Sequence, residues 1–190
     1  MSVERQFKVQ SEKLIIHPLY QTTTMSSYNV CLIQTKSISE TAAAIGCLDC
    51  FSSVCLPERP PVHGRHCWIA GYGATQFNGN NPKRLHDVSV NIFDYPYCMK
   101  KSYDSLKMEI DEKVEFCAGV PDLDSDGLID GGKDACVGDS GGPLVCIDSG
   151  HAVLYGLISW GIGCAQKGLP GVYANVFALH EWITQTVQSF

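Results

Sequence analysis

The chain has 190 residues, of which 45% are hydrophobic and 18% charged, with a formal net charge of −6 at pH 7. Such a length supports one sizeable domain or two small lobes with a shared interface, and the composition is that of a globular protein and not of a disordered one. The acidic balance argues against nucleic acid as a partner, and no apolar run approaches the ~18 residues that span a bilayer, so no membrane partner is expected.

In chain order, the opening "MSVERQFKVQSEK" has no apolar centre and is not a secretory signal. Yet ten cysteines imply an oxidising compartment. A secreted protein that has lost its amino-terminal part reconciles the two, so the expected location is extracellular. Short apolar stretches follow, separated by Gly, Pro, Asn and Asp. "KLIIHP", "VCLIQ", "HCWIAGYG", "DVSVNIF", "PLVCI" and "AVLYGLISWG" are rich in β-branched and aromatic residues and read as strands. "VSVNI" alternates apolar with polar, as a half-buried strand does. In "NVFALHEWITQTVQSF", Val176, Leu179, Trp182, Ile183 and Val187 recur at helical spacing and predict a terminal amphipathic helix.

Two further stretches carry chemistry. "PDLDSDGLIDGGKD" places Asp122, Asp124, Asp126 and Asp130 around Gly127 at calcium-loop positions. Its twelfth position is Lys133 where a bidentate Glu is expected, which leaves a calcium site and a solvated acidic insertion both open. "CVGDSGGP" then sets Ser140 between an acid and two glycines. Glycines there let the backbone turn sharply, and the amides of Gly138 and Ser140 can then face a developing oxyanion. A serine hydroxyl is a weak nucleophile until a base takes its proton.

"GGKDACVGDSGGPLVC" followed by "SWGIGCAQKGLPGVY" resembles the chymotrypsin–trypsin family of serine endopeptidases. "IIHPLY", "VCLP", "CWIAGYG" and "FCAG" come in the family's order, so the likeness runs from about residue 8 to residue 190. The resemblance implies an all-β fold, the trypsin-like double β-barrel, with an incomplete first barrel and linker (8–54), a complete second barrel (55–177) and a C-terminal helix (178–188). It implies Ser140 as nucleophile, with the Gly138 and Ser140 amides as oxyanion hole, and Asp139 as the acid that pairs with a freed amino terminus. Asp134 falls where the trypsin subgroup keeps the acid at the base of its specificity pocket, which selects Lys or Arg because a neutral guest strands the carboxylate. Gly161 and Gly171 match the glycines of the pocket walls, and Ser159, Trp160 and Gly161 match the strand that pairs with substrate backbone. The implied disulfides are Cys67–Cys146, Cys98–Cys117 and Cys136–Cys164.

Other cysteines lie outside that pattern or at its border. Cys55 resembles the cysteine that tethers an upstream segment by a disulfide. Cys47 and Cys50 read as a local or inter-domain disulfide, and Cys31, in an apolar strand, reads as a buried free thiol.

Two departures bear on activity. The family's catalytic histidine lies in a "TAAHC"-like segment upstream of "HPLY", which this chain does not contain; "TAAAIGC" comes too late and has no histidine. The orienting acid opens a strand of the type "DIALIKL", and here "YNVCLIQT" puts Asn29 in its place. An amide cannot stabilise an imidazolium as a carboxylate does, and for the triad itself that change costs about 10⁴ in turnover. The six histidines, His17, His63, His66, His86, His151 and His180, each read as structural. The expectation is therefore a serine endopeptidase domain of Lys/Arg specificity by ancestry, needing no cofactor, acting on polypeptides or protein partners with exposed Lys or Arg, and inactive as written. Two other roles compete: a secreted pseudoprotease that binds or regulates, and a calcium-dependent extracellular interaction module.

Overall fold

A computed structural model describes residues 7–103 and 106–189. Most of them form one barrel. Strands β3 (His66–Gly71), β4 (His86–Phe93), β5 (Glu115–Gly119), β6 (Pro143–Asp148), β7 (His151–Trp160) and β8 (Gly171–Asn175) close in the order β3-β4-β5-β8-β7-β6, all antiparallel. β4 shows why the pattern folds this way: Val90 and Ile92 point into the barrel while the alternating Ser89 and Asn91 remain partly accessible. Inside, Ile69, Val90, Ile92, Phe116, Leu144 and Tyr155 form one contiguous core. The seam where β6 meets β3 pairs Cys67 with Cys146, and these two are disulfide-bonded.

The first lobe is much smaller. β1 (Ser11–Ile16) and β2 (Cys31–Thr35) make a two-stranded antiparallel sheet. Nothing covers its outer face among the described residues, so Leu14, Ile16 and Ile33 are exposed. Cys31 shares that fate: it is an exposed free thiol, not a buried one, because a two-stranded sheet lacks a second layer on that side. The other face docks on the barrel. Val30 and Leu32 join Val114, Ala174, Val176, Leu179 and Ile183 in a core shared by both lobes. His17 is buried there, stacked on Tyr28 and packed on Trp182, each with ring centroids at 4.6 Å.

Helices account for the remainder. α3 (His180–Gln188) buries Ile183 and lays Trp182 on His17, whereas Val176 precedes the helix and Val187 is exposed on its last turn, beyond the reach of the shared core. Two shorter helices were not among the predicted elements. α1 (Ile38–Ala44) is capped by Ser37, whose hydroxyl accepts the Glu40 amide at 3.2 Å, the S-x-x-E arrangement of a capping box. α2 (Tyr95–Cys98) is capped by Asp94, carries Pro96 in its first turn, and runs into a π-helical turn at Met99–Tyr103. Cys47–Cys50, Cys98–Cys117 and Cys136–Cys164 are also disulfide-bonded, and Cys55 is an exposed free thiol. No helix among the described residues is long and apolar enough to cross a membrane.

Candidate active site

The loop carrying Ser140 is fastened to the end of β7. The Gly141 amide donates to Ile158 O at 2.8 Å, and the Ile158 amide donates back to Gly142 O at 2.9 Å. Within the loop the Asp139 amide bonds Cys136 O at 3.0 Å and the Gly142 amide bonds Asp139 O at 2.8 Å. The amides of Gly138 and Ser140 have no internal acceptor among the described residues, and the Ser140 side chain is exposed. Position 138 needs glycine: its φ is +101°, and a Cβ there would stand 3.0 Å from Asn81 Nδ2 and 3.1 Å from Gly73 Cα.

Asp139 turns the opposite way from Ser140. Its carboxylate accepts the Gly73 amide at 2.7 Å and the Cys136 amide at 2.9 Å. A Cβ on Gly71 or Gly73 would collide with that carboxylate, which is why "GYG" can wrap it. Beside it opens a cavity of about 280 Å³ bordered by Ile69, Gly73, Phe77, His86 and Asp134.

A second cleft of about 200 Å³ runs from Ser140 down to Asp134, between walls that include Ser159, Trp160, Gly161 and Gly171. Asp134 is held by the Ala135 amide at 2.8 Å and the Ala165 amide at 3.2 Å. Burial pushes its carboxyl up to about 6, and the nearby Asp139 charge adds to this against the two hydrogen bonds. The Tyr173 hydroxyl lies beside it, buried and without a partner among the described residues. Both walls are narrow at the backbone: an ideal Cβ on Gly171 would lie 2.7 Å from Asp134 Oδ1, and one on Gly161 would lie 3.8 Å from Gly171 Cα. The Cys136–Cys164 disulfide joins the two sides.

Asn29 is half-buried and reaches from the first lobe to Ser159 of β7, a residue that lines the cleft. Its Nδ2–H donates to Ser159 Oγ at 3.0 Å, which leaves its carbonyl oxygen as the side chain's free acceptor. No histidine among the described residues lines the cleft. His17 accepts the Leu19 amide on Nδ1 at 3.1 Å, and burial holds its pKa below the ordinary range, so it is a neutral packing residue. His63 accepts the Asp94 amide at 3.2 Å, His66 packs on Trp68, His151 lies 3.1 Å from Ser149 O, and His180 opens α3.

The acidic loop is drawn together by an ammonium and not by a twelfth-position side chain. Lys167 Nζ lies 2.6 Å from Asp124 Oδ2, 2.9 Å from Asp126 Oδ2 and 3.4 Å from Asp130 Oδ1. Asp122 Oδ2 accepts the Gly127 amide at 2.8 Å. Asp122, Asp124 and Asp126 could together offer oxygen to one cation, and Lys167 already supplies a positive charge against two of them. Lys133 points elsewhere, with Nζ 3.4 Å from Ser89 Oγ.

Glu115 went unnoticed in the sequence. It is 2% exposed at the start of β5, and its Oε1 accepts the Trp160 indole N–H at 3.2 Å. The signal was an acid directly before "FCAG", at a place where every residue of the strand is buried.

Comparison with known proteins agrees with this geometry. The family model "Trypsin" matches residues 1–183. Serine protease 1 of Homo sapiens is 34% identical over 180 residues, covering 94% of this chain and 63% of that protein. Trypsin of Xenopus laevis is 36% identical over 182 residues, covering 95% and 65%. Transmembrane protease serine 5 of Homo sapiens is 36% identical over 180 residues, covering 93% and 35%. The chain spans less than two thirds of the length of these relatives. With matches of this extent laid over a barrel whose cleft joins Ser140 to Asp134, the chain belongs to the trypsin family of serine proteases.

Proposed function

We propose that this chain recognises Lys or Arg side chains of polypeptides through Asp134 and has little or no hydrolytic turnover of its own. The observation that carries the first half is a cleft with a buried carboxylate at its base, glycines on both walls and Ser140 at its rim. A guanidinium or ammonium entering it meets Asp134 and relieves the cost of burying that charge alone, which a neutral guest does not do. Substrate backbone would lie along Ser159, Trp160 and Gly161. Ser140 would attack the carbonyl, and the Gly138 and Ser140 amides would receive the oxyanion. Asp139 and the cavity beside it suit an inserted apolar amino terminus.

The second half rests on Asn29. Its amide donates to Ser159 and presents only a neutral carbonyl to any imidazole brought to the cleft. Such a carbonyl orients a ring but does not stabilise its cation. A binding or regulatory role as a pseudoprotease follows, with a protein partner offering an exposed Lys or Arg. The calcium-dependent reading is the weaker one, because Lys167 already pairs with Asp124, Asp126 and Asp130. The disulfides fit an extracellular setting, and the exposed thiol of Cys55 suits a tether to an upstream segment.

Benzamidine titration against the 190-residue chain tests the pocket: saturable binding that is lost in Asp134→Asn supports it, and equal affinity for benzamidine and toluene refutes it. A chromogenic arginine substrate tests the inactivity. Turnover above background that disappears in Ser140→Ala would overturn it.

A further inference from the structure

Glu115 is an unusual residue to find at 2% exposure on a barrel strand, on the face opposite the interior that Phe116 fills. A carboxylate that deep is tolerated only where donors satisfy its oxygens. Here they come from two separate parts of the chain. Oε2 accepts the Asp111 amide at 2.8 Å. Oε1 accepts the Trp160 indole N–H at 3.2 Å. Asp111 begins the turn into β5, and Trp160 ends β7.

A second acid stands close by. Asp111 is 7% exposed; its Oδ1 accepts the Lys113 amide at 3.1 Å, while its Oδ2 has no hydrogen-bond partner among the described residues. Burial raises the Glu115 pKa above the ordinary range and the Asp111 charge adds to this, against the hydrogen bonds from the Asp111 amide and the Trp160 indole. The indole it holds lies in the Ser159–Gly161 stretch, and its ring contact among the described residues is an edge-on approach to Tyr103 at 5.3 Å.

We propose that Glu115 is a positioning residue: its carboxylate fixes the Trp160 indole on the substrate strand and ties that strand to the Asp111 turn that leads into β5. Its effect reaches a bound polypeptide beyond the Lys or Arg side chain, where the backbone runs along Ser159, Trp160 and Gly161. The proposal rests on the reading of β7 as the substrate strand, and the measurement is chosen to separate the two.

The indole N–H resonance of Trp160, assigned by its loss in Trp160→Phe, is followed in ¹H–¹⁵N spectra of the ligand-free 190-residue chain. Glu115→Gln keeps the shape and an acceptor but loses the charge, so the resonance moves upfield part of the way. Glu115→Leu removes the acceptor and moves it further. Affinity is then measured for benzamidine and for a short peptidyl-arginine amide. In Glu115→Leu the peptide binds about tenfold more weakly, the worth of one charge-assisted hydrogen bond, while benzamidine is unchanged, and Glu115→Gln recovers part of the difference. An unmoved indole resonance in Glu115→Gln would overturn the proposal, and so would an equal loss of both ligands. If Glu115→Leu does not fold, Glu115→Gln decides alone. If benzamidine fails to bind the parent chain, the pocket reading fails, and the indole resonance still decides the role of Glu115.

Discussion

Replacing Asp134 by asparagine isolates the energetics of the cleft. In the folded chain the Asp134 carboxyl is pushed up to about 6 from 3.8, mainly by burial. A raised carboxyl pKa means the native state binds its proton more tightly than the unfolded chain does. Below pH 3.8 both states are protonated and there is no penalty. As pH climbs from 3.8 through about 6 the native state loses stability, because the charge must be buried. Each tenfold change in proton affinity is worth about 1.4 kcal/mol, so the full loss above pH ~6 is about 3 kcal/mol. The Asp134→Asn variant carries no such penalty, although its NH₂ cannot accept both backbone amides as the carboxylate does, which costs about 1–3 kcal/mol at every pH. The absolute stability of the variant therefore depends on two opposing effects, but their pH dependence separates them. Thermal unfolding at about pH 4 and about pH 7.5 should show the gap between variant and parent moving by about 2.4 kcal/mol in the variant's favour at the higher pH. That is about 5–10 °C in Tm for a chain of this size. A gap that is the same at both values would refute the buried charge. Benzamidine adds a second check of the same cause, since its binding to the parent should tighten as pH rises through about 6 and should show no such rise in Asp134→Asn.

Three further outcomes are expected. Gly171→Ala places a Cβ 2.7 Å from Asp134 Oδ1 and 3.2 Å from the Tyr173 ring, so calorimetry should show benzamidine affinity reduced at least about tenfold with the fold retained. Lys167→Met removes the ammonium from Asp124, Asp126 and Asp130; the variant should gain a calcium-dependent rise in Tm that the parent lacks, and a rise in the parent alone would contradict the pairing. Opening the barrel seam with Cys67→Ser and Cys146→Ser frees a crosslink between residues 79 apart, and urea unfolding should record a loss of about 4 kcal/mol.

Much of the barrel was readable before any coordinates, because β4, β6 and β7 alternate or run apolar between turn residues. β5 and β8 were harder. Each is five residues long and almost wholly buried, so neither shows a polar face to mark its period. α1 announced itself only through Ser37 and Glu40, a local cap that is easily lost beside "TAAA". Within the cleft, Ser140, Asp134, Ser159, Trp160, Gly161 and Gly171 could all be named from short motifs, since each motif is a contiguous run of chain. Glu115 and Lys167 could not. Their partners are remote in sequence: Trp160 is 45 positions from Glu115, and Asp124 is 43 from Lys167. Long-range burial turned an ordinary-looking acid into a hydrogen-bonding hub, and an ordinary-looking lysine into the counter-charge of a loop. Cys31 failed in the reverse direction, for an apolar run says nothing about whether a second layer will cover it.

The Cys136–Cys164 bond makes the cleft conditional on redox chemistry. One sulfur belongs to the segment that carries Asp134 and Ser140, the other to the segment between Trp160 and Gly171. Without the bond those segments are joined by single contacts such as the Gly132 amide to Ala165 O and the Ala165 amide to Asp134. A chain held under reducing conditions would keep its β7 and β8 walls paired in the barrel and would lose the covalent tie that holds the Cys164 segment against the loop carrying Asp134. The oxidant that forms this bond is in that sense a reagent in building the cleft.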